Sequence, residues 1–137
     1  MDSRLEAEDY ALAWICALPV ELTAAIAVLD EINPRLPQDE LDHNAYEFGR
    51  IGSHNIIIAC LLVGVYNLTS TANVAYHLRR SFPLITATLM VGIAGGVPTL
   101  LRKDIKLGDV VVGEPIPGCR GVLQYDFGKT IQAGRFI

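Results

Sequence analysis

The sequence predicts an α/β domain, with helices on both sides of a mixed, mainly parallel central sheet in a three-layer α/β/α order. Three observations carry this expectation. Apolar runs such as "YALAWICAL", "NIIIACLLVG" and "LITATLMVGI" are short and nearly free of polar residues, as expected of strands covered on both faces. Two segments with helical character fall between them. Hydrophobic residues make up 51% and charged residues 19% of the 137 positions, enough apolar side chains to bury one core and too short a chain for two.

The elements follow in order along the chain. "YALAWICAL" (10–18) reads as a buried strand. Pro19 stands where a helix can begin, because its missing N–H is no loss in the first turn. "VELTAAIAVLDEI" continues with helix formers, sets Glu21 in the electropositive first turn, and is expected to end near Asn33 and Pro34. "PRLPQDELDHN" is polar and proline-rich, hence a surface loop. "AYEFGRIGSHNIIIACLLVG" reads as two strands around a tight turn at Gly52 and Ser53, the second strand being the more buried.

In "NLTSTANVAYHLRRSF", Asn67 is placed as an N-cap and Leu68, Ala72, Ala75 and Leu78 share one helical face, with Arg79 and Arg80 solvated at the electronegative end. "LITATLMVGI" is the next buried strand, and a glycine loop follows it. "IKLGDVVVGEPI" predicts one more strand after a charged turn at 102–106. "PGCRGVLQYDFGKTIQAGRFI" has no clear period and reads as an irregular excursion.

Composition excludes several classes of function. A net charge of −4 and a sequence pI near 5.2 provide no basic field to hold nucleic acid. No apolar stretch has the length of a membrane helix, and the acidic start "MDSRLEAEDY" lacks the basic and apolar regions of a secretory signal, so a cytoplasmic location is expected. Cys16, Cys60 and Cys119 are an odd count without CxxC spacing, which reads as free thiols. His43, His54 and His77 have no metal-ligand spacing, so no metal is expected.

Ligands of open α/β sheets sit beyond the carboxyl ends of the parallel strands. Two features fall there: the turn carrying Glu21, and the loop "GIAGGVP" with Gly92, Gly95 and Gly96. The first turn, "CALPVEL", has no glycine and so cannot be the GxGxxG of a dinucleotide fold. No Lys-Ser or Lys-Thr pair trails the glycines as in a phosphate-binding P-loop. The residue between Gly92 and Ala94 is Ile93, which excludes a nucleophile elbow. A carboxylate beside a glycine loop remains, with no cofactor.

The blocks "WICALPVEL", "VGVYN", "GIAGGV" and "LGDVVV", in that order and spacing, resemble the N-terminal half of the nucleoside phosphorylase superfamily, which includes purine nucleoside and uridine phosphorylases and methylthioadenosine/S-adenosylhomocysteine nucleosidases. "ICALPVE", "MVGIAGGVP" and "VLQYDFGKT" look most like its fungal branch, in which such a domain is often the N-terminal module of large proteins bearing an NTPase and ankyrin or tetratricopeptide repeats. The resemblance covers about 9–136. It implies an N-terminal tail over 1–9 and, over 10–137, the N-terminal part of a phosphorylase/hydrolase-like domain incomplete at its C-terminus.

The resemblance implies cleavage of the N-glycosidic bond of a purine nucleoside through an oxocarbenium-like sugar, with inorganic phosphate or water as co-substrate. Glu21 matches the glutamate that activates the attacking water, a role suited to a carboxylate, which accepts a proton and favours a cationic sugar. An acid favouring a helix N-terminus would stand in the same place. Gly92, Ile93, Gly95 and Gly96 match the loop whose backbone approaches ribose, although tight-turn glycines would fall there too. Ile93 replaces the Ser or Thr of many members, a hydroxyl that touches phosphate or the attacking water, and so leaves phosphate use open. Asp126, within "YDF", matches a stretch bordering the pocket or a neighbouring subunit, so the resemblance leaves a homo-oligomer open, although a plain loop with an aromatic anchor would read the same. Asp109 of "LGDVVV" is read as a turn cap.

In the family the purine-stacking aromatic, the ribose-binding glutamate and the acid that protonates the leaving base lie in the C-terminal half. General acid catalysis contributes roughly 10² to 10⁴-fold, so this stretch alone is expected to be inactive. The alternative is a degenerate nucleoside-sensing or effector module of an immunity-like NTPase/repeat protein.

Overall fold

The computed structural model describes residues 5–61, 68–96, 105–118, 130–131 and 135–136. The chain divides into two compact units, 1–94 and 95–137, described in turn.

The first unit is α/β. After a 3-10 turn at Ala7–Asp9, strand β1 runs over Leu12–Cys16, helix α1 over Pro19–Ala27, β2 over Glu31–Asn33, β3 over Tyr46–Ile51, β4 over His54–Cys60, helix α2 over Leu68–Ser81 and β5 over Ala87–Met90. The sheet order is β2-β3-β4-β1-β5. β1 pairs in parallel with β4 and β5, whereas β2–β3 and β3–β4 are antiparallel. The sheet is therefore evenly mixed rather than mainly parallel, because the hairpin at Gly52 and the added β2 contribute as many antiparallel pairings as β1 makes parallel ones.

Side chains alternate across β1 and β4 into two apolar clusters, as the period of two in a strand requires. Ala13, Ile15, Ile57 and Ala59 join Val74 and Leu78 of α2, with Tyr10, Tyr46, Phe48 and Phe82. Leu12, Trp14, Cys16, Ile56, Ile58 and Cys60 join Leu22, Ala25 and Ile26 of α1. The aromatic side chains meet edge to face: Tyr46 and Phe82 stand 5.3 Å apart at 89°, the preferred arrangement of ring quadrupoles.

Four expectations for this unit need correction. The helix over 19–32 stops at Ala27, and Glu31–Asn33 is a strand: Arg50 binds Glu31 at 3.0 Å across the pairing, and the Asn33 amide donates to the Tyr10 hydroxyl at 3.0 Å. On α2, Ala72 is exposed and Val74 takes its place beside Leu78, so the buried face is turned from the expected one. β5 is not buried. Among the described residues it is the outer strand of the sheet, and all four of its residues are exposed. The loop over 34–45 is not wholly superficial either, since Asp42 is buried. Asn67 lies outside the described residues.

In the second unit, residues 109–115 form no strand and Val110, Val111 and Val112 are exposed, against the strand expected there. β-propensity alone does not extend a segment; a strand also needs a partner for its backbone. Gly108 has φ +92 in a turn that the Asp109 carboxylate caps by accepting the Lys106 N–H at 2.9 Å. Thr130–Ile131 and Arg135–Phe136 form an antiparallel pair, β6 and β7.

Candidate functional site

The carboxyl ends of β1 and β5 lie side by side, because Ile15 and Met90 are register partners. From β1 the chain turns at Ala17 and Leu18 into α1, whose first residue is Pro19. Glu21 is the third residue of that helix, and its side chain reaches back over the turn. One carboxylate oxygen, Oε2, accepts the N–H of Ala17 at 2.8 Å and of Leu18 at 2.9 Å. Both are donors that no turn of helix can satisfy, so the carboxylate meets an obligatory need of the backbone.

The other oxygen crosses to the adjacent strand end. Oε1 accepts the N–H of Ile93 at 2.8 Å, joining positions 72 residues apart. Gly92 makes this approach feasible: a Cβ built there would stand 2.6 Å from Oε1 and 3.1 Å from the carboxyl carbon. Gly92 has no left-handed φ, so close approach rather than turn geometry explains the glycine. Glu21 is buried, with 8% of its surface exposed. Desolvation pushes its carboxyl upward, but the N–H groups of Ile93, Leu18 and Ala17 together outweigh it, and the group is held below its ordinary value. Glu21 is thus an anchored anion. Oε2 accepts two donors, and among the described residues Oε1 accepts one.

Of the residues singled out in the sequence, the fold brings Glu21, Gly92 and Ile93 together. Ile93 contributes its backbone N–H, while its side chain is 73% exposed. Gly95 and Gly96 belong to the second unit; a Cβ at Gly95 would meet nothing within 4 Å, and one at Gly96 would meet Ile105 at 3.0 Å. Asp126 and Cys119 lie outside the described residues. Among the described residues, no group of three or more His, Cys, Asp or Glu is placed to hold a metal ion, and no helix is long and apolar enough to cross a membrane. Arg79 and Arg80 are exposed, and Arg80 pairs with Asp39 at 3.1 Å.

Two groupings escaped the sequence reading. Asp42 accepts the Tyr46 hydroxyl at 2.8 Å, the Ser81 hydroxyl at 2.5 Å and the Asn44 N–H at 3.1 Å, fastening the 34–45 loop to the end of α2. Burial raises its carboxyl, and Ser81, Tyr46, Asn44 and the charge of His77 bring it below the ordinary range. The same burial, with Asp42 alongside, pushes the Tyr46 phenol up. The second grouping is Cys16 with Cys60, directly opposed at the ends of β1 and β4.

Comparison with known proteins gives one informative similarity. The chain is 43% identical over 131 residues, 95% of its length, to a nucleotide-binding leucine-rich repeat (NLR)-like protein of the fungus Hyaloscypha variabilis. It spans 13% of the length of that relative. No protein-family profile matches the chain, and no solved structure does.

Proposed function

We propose that this chain is the glutamate-bearing part of a nucleoside-recognition module, related to the nucleoside phosphorylases and nucleosidases and working within an NLR-like protein. The observation that carries the proposal is the Glu21 carboxylate, fixed by three backbone N–H groups at the carboxyl end of parallel strands, with Oε1 beside the bare backbone of Gly92. The two side-chain clusters on alternate faces of β1 and β4 support the α/β/α layering that such a module has.

In this assignment Glu21 receives the sugar. A carboxylate that stays ionised over the whole neutral range favours positive charge developing on a ribose ring and accepts a hydrogen bond from a water or hydroxyl placed against it. Its lowered basicity suits holding and orienting a donor better than abstracting a proton. The family resemblance alone gives Gly95, Gly96 and Asp126 a part in substrate binding. Ile93 offers no side-chain hydroxyl for phosphate, so water is the favoured nucleophile wherever the N-glycosidic bond is cleaved. Similarity to an NLR-like protein favours recognition coupled to signalling over turnover.

The test is titration calorimetry of the full gene product with adenosine, inosine and methylthioadenosine, alongside chromatography for free base with and without phosphate. Binding without base release is the expected result. Base release would move the assignment to catalysis. Neither binding nor release with any of the three nucleosides would overturn it.

A further inference from the structure

Cys16 and Cys60 are direct register partners at the last residues of parallel strands β1 and β4, so their side chains leave the sheet on the same face. Both belong to the apolar cluster packed against α1. Neighbouring strands run about 4.8 Å apart. A disulfide accepts Cα separations of about 4.4 to 6.8 Å, a range that includes this strand spacing.

The two sulfurs are unequal. Cys16 is fully buried and its thiol donates to the Ala59 carbonyl at 3.4 Å. Burial, then the neighbouring Cys60 and the Glu21 charge, push that thiol up to about 12, so it stays protonated and does not react first. Cys60 is only partly buried and is the one an oxidant reaches.

We propose that Cys16 and Cys60 form a built oxidation site, in which Cys60 is the sulfur attacked by a hydroperoxide and Cys16 resolves it into an intrachain disulfide. In the first step the Cys60 sulfur takes one peroxide oxygen, the O–O bond breaks, and a sulfenic acid and one water (or alcohol) result. In the second, the Cys16 sulfur attacks the Cys60 sulfur, the S–O bond breaks, and hydroxide leaves as water with the Cys16 proton. Two electrons pass from the sulfur pair to the peroxide. The product clamps the ends of β1 and β4 together directly before the turn that binds Glu21.

The experiment is graded hydrogen peroxide on the folded full chain, followed by alkylation of free thiols and peptide mapping without reductant. The expected product is a peptide pair joining Cys16 to Cys60, lighter by two hydrogens and released by dithiothreitol. In Cys16→Ser, Cys60 is expected to stop at a sulfenic acid trapped by dimedone, and in Cys60→Ser the buried Cys16 is expected to stay free. The native chain alone decides the matter if either variant fails to fold. Persistent Cys60 sulfenic acid beside free Cys16, or a bond from either residue to Cys119, would overturn the proposal. The same treatment in denaturant should spread the bonds over all three cysteines, and specific pairing there would show that the fold is not its cause.

Discussion

Gly92→Ala should cost stability only because Glu21 is present. The new methyl group would stand 2.6 Å from Oε1. A carboxylate tip can swing aside, so the clash itself is relieved cheaply, but swinging breaks the bond to the Ile93 N–H. A hydrogen bond to a charged group contributes about 1.5–3 kcal/mol. Alanine also stiffens the unfolded chain, which returns about 0.4–1 kcal/mol. The net loss is therefore roughly 1–2 kcal/mol, a fall in melting temperature of roughly 4–8 °C for a chain of this size.

Glu21→Ala should cost more, about 3 kcal/mol, because three backbone donors lose their acceptor together. In that background Gly92→Ala should cost nothing. Urea unfolding of the wild type, both single variants and the double variant measures the coupling, and Gly95→Ala, which meets open space, serves as the neutral control. Single-variant losses that add in the double variant to within about 0.5 kcal/mol would refute the proposed contact.

Two further outcomes follow from buried groups. Glu21 and Asp42 both titrate below their ordinary values of 4.5 and 3.8, so the stability they provide is whole above those values and is lost as pH falls through the lower, folded-state values. Acid unfolding followed by circular dichroism should steepen below about pH 4.5, and Asp42→Asn should flatten that dependence while costing about 2 kcal/mol at neutral pH. Gly49→Ala should cost about 2–3 kcal/mol by thermal melting, because its Cβ would lie 2.7 Å from the Glu31 carbonyl oxygen, a backbone atom of β2 that cannot swing away.

What the sequence made legible was local. The apolar run 10–18, the Gly52 turn and the helix ending at the two arginines each carry a short-range signal, and each is present in the structure. Glu31–Asn33 was illegible because its strand state depends on Arg50 and Tyr10, partners 19 and 23 residues away in sequence. Asp42 looked like one more acid in a polar loop, since nothing nearby announces that Tyr46 and Ser81 enclose it.

At the candidate site, Glu21 was legible from its place in the first turn after Pro19, and Gly92 from its loop. The part Ile93 plays was not. Its side chain drew attention for the hydroxyl it lacks, whereas its amide, which any residue but proline supplies, is the group that Glu21 binds.

The outermost strand has a consequence for anyone handling this polypeptide. Among the described residues, Ala87–Met90 is hydrogen-bonded along one side only, and its apolar residues include Leu89, 54% exposed, and Met90, 62% exposed. Such a margin is a template on which another extended segment can be laid down. Concentration, more than temperature, should then govern how long the chain stays dispersed, and a lysine at Thr88 is the substitution that would extend it.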